Sequence, residues 1–243
     1  MPRRKNSHSK RYAIVAVAVI MIILASLAVF YYRINTNKTS ASTPNPSISN
    51  SPLAVGDTFT YKLKGSTVVG SSDVVTPNEF MQYNNTNYYQ VTVTGINGTQ
   101  VYLDTLWQFN NGTQTNSAQI IDRSTGRFAD PNGFSYLYLS NLNVSDLLYP
   151  EGTNKLIVNS TSTQTYVNFS RATNCWSEAD QFIDSSDPTG NTMRNDFITV
   201  YFDKQTGILD NLTRLEFFTN PQIELITTWQ LTSSNVWAVN EKS

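Results

Sequence analysis

The sequence predicts a mainly β domain, built as a curved antiparallel sheet or as a β-sandwich or half-barrel with a minor helix, and preceded by one N-terminal transmembrane helix. Three observations predict it: a long uncharged apolar run near the start, apolar residues at every second position in segments beyond residue 53, and Asn-Gly or Asp-led turns between those segments.

The elements follow in chain order. Residues 1–11 are a basic tail with Arg3, Arg4, Lys5, Lys10 and Arg11. From Tyr12 to Tyr32 no residue is charged, and Ile14-Val15-Ala16-Val17-Ala18-Val19-Ile20 continues through Ile23, Leu24, Leu27, Val29 and Phe30. About 21 residues at roughly 1.5 Å each span about 31 Å, close to the hydrocarbon thickness of a bilayer. Tyr12, Tyr31 and Tyr32 stand where amphipathic rings favour the interface. Five basic residues precede the run and only Arg33 and Lys38 closely follow it, so the positive-inside rule keeps residues 1–11 in the cytoplasm and exports the remainder. A cleaved secretory signal also begins with basic residues, but its apolar region usually runs about 7 to 15 residues. Residues 12–32 therefore read as an uncleaved signal-anchor, and either reading places the domain outside. Residues 33–52 are mostly Ser, Thr, Asn and Pro, too polar to offset the entropy of ordering, and form a stalk. The β-rich domain occupies 53–243.

Composition excludes several chemistries. An apolar content of 40% with 12% aromatics suffices for a core. Seven of the 17 basic residues precede residue 50 and no Asp or Glu does, so the domain holds all 18 acidic groups against the remaining basic ones. A domain of that sign repels phosphate backbones, which argues against nucleic-acid binding. Cys175 is the only cysteine, which rules out an intrachain disulfide and a Cys-rich metal site. It reads as a buried small hydrophobe, the other reading being an intermolecular disulfide. His8, the only histidine, lies in the tail, so the outer domain has no imidazole for Ser-His-Asp or Cys-His catalysis or for a His-based zinc site. The Ser7-His8-Ser9-Lys10 run matches Ser-x-x-Lys by composition alone.

Within the domain, Val101, Leu103, Trp107 and Phe109 share a face opposite Tyr102, Asp104 and Gln108. Tyr89, Val91 and Val93 likewise oppose Gln90, Thr92 and Thr94, and Ile223, Leu225, Thr227, Trp229 and Leu231 oppose Gln222, Glu224, Thr228 and Gln230. Such alternation predicts strands buried on one side, as in antiparallel sheets. Asn97-Gly98 and Asn111-Gly112 tolerate positive φ, so strands over 87–96, 99–110 and 113–122 form a meander. Asp122-Arg123-Ser124-Thr125-Gly126 and Asp203-Lys204-Gln205-Thr206-Gly207 share a second turn, in which Asp bonds the backbone and Gly turns left-handed. Their recurrence reads as repeated turn chemistry rather than duplication. Phe134, Leu137, Tyr138, Leu142 and Leu147 fall near helical spacing and predict a helix over 134–148 that covers one face or mouth of the sheet.

Four landmarks stand in order along the domain: Val55-Gly56-Asp57-Thr58-Phe59-Thr60-Tyr61, Val93-Thr94-Gly95-Ile96-Asn97-Gly98-Thr99, Ser170-Arg171-Ala172-Thr173-Asn174 and Tyr201-Phe202-Asp203-Lys204-Gln205-Thr206-Gly207-Ile208-Leu209. Together, over residues 53–232, the chain resembles archaeal membrane-anchored or secreted β-rich surface proteins of unknown function. The resemblance implies an envelope location and a β fold, and carries over no catalytic residue. A looser likeness, in architecture only, is to half-barrel lipoprotein carriers that hold an apolar ligand inside a curved sheet.

Candidate sites are few. Asn-x-Ser/Thr sequons begin at Asn37, Asn84, Asn97, Asn111, Asn143, Asn159, Asn168 and Asn211, and such sites mark exposed positions of exported proteins. Asp184, Asp187 and Asn191 offer oxygen ligands to calcium, without EF-hand spacing. Glu178 with Asp180, or Asp104 with another strand acid, is the carboxylate pair a glycosidase would need. Trp107, Trp176, Trp229 and Trp237 read as core and cross-strand packing before a sugar platform.

These observations predict a membrane-anchored cell-surface protein with a structural or interaction role in the envelope. The alternatives are a lipid- or glycan-binding module using the concave face of the sheet, and a glycosidase-like enzyme. No enzyme activity is expected. Partners are the bilayer through residues 12–32 and, beyond it, envelope proteins, lipid or glycan. The interior discriminates: a continuous apolar cavity favours a carrier, a solid core the first reading, and convergent carboxylates in a cleft the enzyme.

Overall fold

The computed structural model describes residues 52–69, 78–128, 133–183, 193–219 and 222–237. The basic tail, the 12–32 span and nearly all of the stalk lie outside these residues. Among the described residues, no helix is long and apolar enough to cross a membrane.

Ten strands of the described residues form one open antiparallel sheet. They are β1 (Thr58–Val69), β2 (Thr86–Asn97), β3 (Gln100–Phe109), β4 (Gln114–Asp122), β5 (Arg127–Phe128), β6 (Ser160–Tyr166), β7 (Phe169–Ile183), β8 (Met193–Asp203), β9 (Leu209–Thr219) and β10 (Gln222–Ser234). The order β5-β4-β3-β2-β1-β10-β9-β8-β7-β6 describes two five-stranded meanders joined where β1 pairs with β10. The fold is thus a single sheet and not a sandwich. The meander predicted over 87–122 forms β2, β3 and β4, turning at Gly98 (φ 59) and Gly112 (φ 87). The two Asp-led turns close alike: Gly126 N donates to Asp122 O, and Gly207 N to Asp203 O, each at 2.8 Å. Both glycines have positive φ, at 71 and 77.

Alternation buries one face of the sheet. Phe59, Tyr61 and Leu63 of β1, Tyr89, Val91 and Val93 of β2, Val101 and Leu103 of β3, and Leu225, Trp229 and Leu231 of β10 are all buried. What covers all of them but Leu225 is the connection from β5 to β6, whose described part runs over 133–158 as a strap. Gln119 of β4 clasps Phe134 at both backbone groups, Nε2 donating to its carbonyl at 2.5 Å and Oε1 accepting from its N–H at 3.0 Å. Farther on, Leu137 bridges to Ile208, Asn174 Nδ2 donates to Leu142 O at 2.8 Å, and Trp176 Nε1 donates to the Tyr138 hydroxyl at 2.9 Å. Phe134, Leu137, Tyr138, Leu142, Leu148 and Val158 thereby join the core.

The helix predicted over 134–148 is not formed. Asn141 (φ 61) and Ser145 (φ 75) are left-handed, which an α-helix of L-residues excludes. The apolar spacing instead follows the sheet beneath, Phe134 meeting Tyr61, Leu137 bridging to Ile208 and Tyr138 bonding Trp176, so the intervals mimic a helix without its hydrogen bonds. The minor helix is α1 (Asn78–Asn84), between β1 and β2. Its Phe80 packs with Ile223 and Leu225. Gly65 permits this approach, since a Cβ there would lie 3.0 Å from the Phe80 carbonyl oxygen.

Candidate functional site

Register carries the site. On the covered face, Leu63, Trp229, Leu212, Val200 and Trp176 align across β1, β10, β9, β8 and β7 as an apolar row. Two residues along each strand the row is Gly65, Thr227, Arg214, Ile198 and Glu178; then come Thr67, Leu225, Glu216, Asp196 and Asp180; beyond them stand Ile223, Phe218, Arg194 and Phe182. One face therefore changes along its length from a packed core to a ladder of opposite charges.

The ladder is a four-membered network. Arg214 grips Asp196, its Nε donating to Oδ1 at 2.9 Å and to Oδ2 at 3.1 Å while Nη2 also bonds Oδ2. Glu216 forms ion pairs with both guanidinium groups at 3.5 Å, and Arg194 stands 3.7 Å from Asp196. Arg194 lies over the Phe182 ring at 4.1 Å, a cation–π arrangement. Bonding to Asp196 holds the Arg214 pKa above its usual value, and burial opposes this. Tyr136 of the strap faces the network: burial pushes its hydroxyl up to about 12, while the charge of Arg214 pulls the other way. Glu178 is raised by burial and then by the charges of Asp180 and Asp196. Side-chain exposures of 36% for Arg214 and 14% for Asp196 leave the network partly open to solvent.

A second charged cluster is closed. Asp203 is fully buried and accepts from Arg171 Nε and from the Tyr166 hydroxyl, each at 2.6 Å. Its other oxygen accepts from the backbone N–H groups of Gln205 (3.1 Å) and Thr206 (2.7 Å). Asp210 is the extra residue of a bulge in β9, where Phe202 pairs with Leu209 and Tyr201 with Asn211. The Thr173 hydroxyl donates to it at 3.2 Å. Burial, and then the charge of Asp203, hold the Asp210 carboxyl well above its usual range. Trp237 seals the cluster: Arg171 lies 4.7 Å from its ring centre, and Phe59 of β1 and Tyr166 of β6 flank it. This cluster ties the 203–207 turn to β7 and locks one end of the sheet.

Of the acids the sequence singles out, Glu178 and Asp180 come together on the ladder face, beside Asp196, whereas Asp104 is on β3. Asp184, Asp187 and Asn191 lie outside the described residues, and among those described no group of His, Cys, Asp or Glu is arranged to hold a metal. Cys175 is buried, and burial raises its thiol pKa. Asn37 is outside the described residues. Asn84, Asn97, Asn111, Asn143, Asn159 and Asn168 are exposed, at the end of α1 or at strand ends and turns. Asn211 is half-buried within β9. Sequence reading missed Arg194 and Arg214. The available signal was the basic-x-acid pattern of Arg194-x-Asp196 and Arg214-x-Glu216, which places opposite charges on one face of a strand.

Searches against family models, curated proteins and solved structures found no match to the chain.

Proposed function

We propose that the chain is a single-pass surface protein, held in the membrane by residues 12–32 with its N-terminus inside, whose glycosylatable β-domain acts in the envelope by contact rather than by turnover. The observation that carries this reading is the strap. Among the described residues the apolar face is packed by the chain's own Phe134, Leu137, Tyr138 and Leu142, in the place where a carrier would hold lipid. The contacts of Trp237 with both β1 and β6, five places apart in the sheet, support a half-barrel curl around the strap. The order of the landmark motifs supports kinship with archaeal surface proteins. Protease added to intact cells tests the reading: the large C-terminal part should be cut while residues 1–11 stay protected, and an untouched domain refutes it.

A second reading, glycan binding at the concave face, is favoured by the Arg214–Asp196–Glu216–Arg194 ladder bordered by Tyr136 and Phe182. Titrating the detergent-solubilised chain with neutral oligosaccharides tests it. Arg214→Gln should weaken binding at least tenfold, and no saturable binding by the wild type refutes it.

A further inference from the structure

Sheet edges expose unpaired N–H and C=O groups, and natural proteins blunt them with lysine, proline, bulges or a covering segment. Among the described residues β6 is the last strand of its sheet, and its sequence Ser160-Thr161-Ser162-Thr163-Gln164-Thr165-Tyr166 contains no charge, proline or glycine. It pairs with β7 without a bulge, from Ser160↔Cys175 to Tyr166↔Phe169. All its residues but Ser162 and Tyr166 are exposed. A regular, uncharged, threonine-rich strand of this kind is a template for a further strand.

The protection missing from the strand stands at its two ends. Asn159 immediately precedes β6, Asn168 lies in the turn immediately after it, and each begins an exposed sequon. Asn159 Oδ1 accepts from Ser177 N at 2.6 Å, which fixes the amide through the oxygen and leaves Nδ2 as its glycan-bearing end. Asn168 sits at φ 64 in a tight hairpin turn closed by the Tyr166↔Phe169 pair. A strand seven residues long spans only about 23 Å, and a partner strand must approach to about 4.8 Å along that length.

We propose that glycans on Asn159 and Asn168 guard the β6 edge, preventing a second copy of this chain from adding its own β6 to the sheet. The proposal rests on the exported, glycosylated reading above. At the opposite edge Asn111 stands in the turn that opens β4, whose residues Gln114–Ile120 are also uncharged.

The test uses the full chain, made in a glycosylating host and extracted in detergent, with glycan mass read at each sequon and association read by sedimentation. Wild type should be monomeric and carry glycan at Asn159 and Asn168. The sequons are removed in two ways, as Asn159→Gln with Asn168→Gln and as Thr161→Ala with Ser170→Ala; the first loses the Asn159 bond to Ser177 and the second the Thr161 bond to Asn174, so a result common to both pairs is not a folding defect of either. Either pair should associate at concentrations at least tenfold lower than wild type. Thr163→Lys added to either should restore the monomer without glycan, and removal of the Asn97 sequon should change nothing. Monomeric behaviour of both sequon-free pairs, or association indifferent to Thr163→Lys, overturns the proposal. Glycan on other sequons with Asn159 and Asn168 bare overturns this proposal alone, whereas no glycan at any sequon overturns the surface reading with it.

Discussion

Gly207→Ala and Gly126→Ala alter the same turn in two settings and should have unequal effects. Both glycines have positive φ, so each alanine carries the left-handed penalty of about 1–2 kcal/mol, reduced by about 0.4–1 kcal/mol because alanine restricts the unfolded chain. The settings then diverge. A Cβ at Gly126 meets the Tyr149 ring at 2.9 Å, a side chain able to swing aside. A Cβ at Gly207 would lie 2.1 Å from the Tyr138 carbonyl oxygen, and this is backbone of the strap. Relieving that overlap moves Tyr138 away from the turn and strains its N–H bond to Gly207 O at 2.9 Å. An orphaned buried donor costs about 1–3 kcal/mol, so Gly207→Ala should lose about 3–4 kcal/mol and Gly126→Ala about 1 kcal/mol. Urea unfolding of the two purified variants, followed by tryptophan fluorescence, measures both. Equal losses would refute the claim that the strap is seated on the 203–207 turn.

Three further outcomes follow from the closed cluster and its hairpin. Asp210 keeps its proton in the fold at pH values where the unfolded chain, with an aspartate pKa of about 3.9, has lost it. Its contribution to stability is therefore complete below that value and is lost at about 1.4 kcal/mol per pH unit as pH rises toward the folded pKa. Asp210→Asn should gain on wild type steadily as unfolding is measured from pH 4 upward, and a gap independent of pH would contradict the assignment. Arg171→Met strands the buried Asp203 carboxylate and should cost about 3–5 kcal/mol by thermal or urea unfolding; a loss below 1 kcal/mol would show that the pair is dispensable. Val167 is a β-branched residue at φ 50 that also packs against the core, so Val167→Asn, which suits that conformation and preserves the Asn168 sequon, should exchange packing for relieved strain and shift stability by less than about 1 kcal/mol in the same assay, whereas a larger loss would show that the packing dominates.

β2, β3, β4 and β10 and the turns beside them were legible because each rests on local chemistry. Alternation marked β2, β3 and β10 through residues such as Val91, Leu103 and Trp229, and Asn-Gly or Asp-led turns marked where they reverse. The strap was not legible, because Phe134, Leu137 and Tyr138 take their spacing from Tyr61, Ile208 and Trp176, partners distant in sequence. α1 escaped for a different reason: seven residues give too little periodicity, although Pro77-Asn78-Glu79 is a helix-start composition. The ladder required register. Asp196 and Arg214 are 18 positions apart, and only the pairing of β8 with β9 makes them partners. Asp203 was readable as a turn residue, but its bond to Arg171 was not, since that depends on β7 lying beside β8.

The sheet's middle is made from the earliest and the latest of its strands. Thr232 bonds Thr60 across 172 residues of chain, and until β10 is synthesised β1 has no neighbour on one side. Contacts of such long range form slowly. A chain truncated before residue 222 therefore presents a bare central strand, its β1–β5 meander lacking the partner that β10 supplies. Completeness is checked by the topology itself, with the final thirteen-residue strand acting as the keystone.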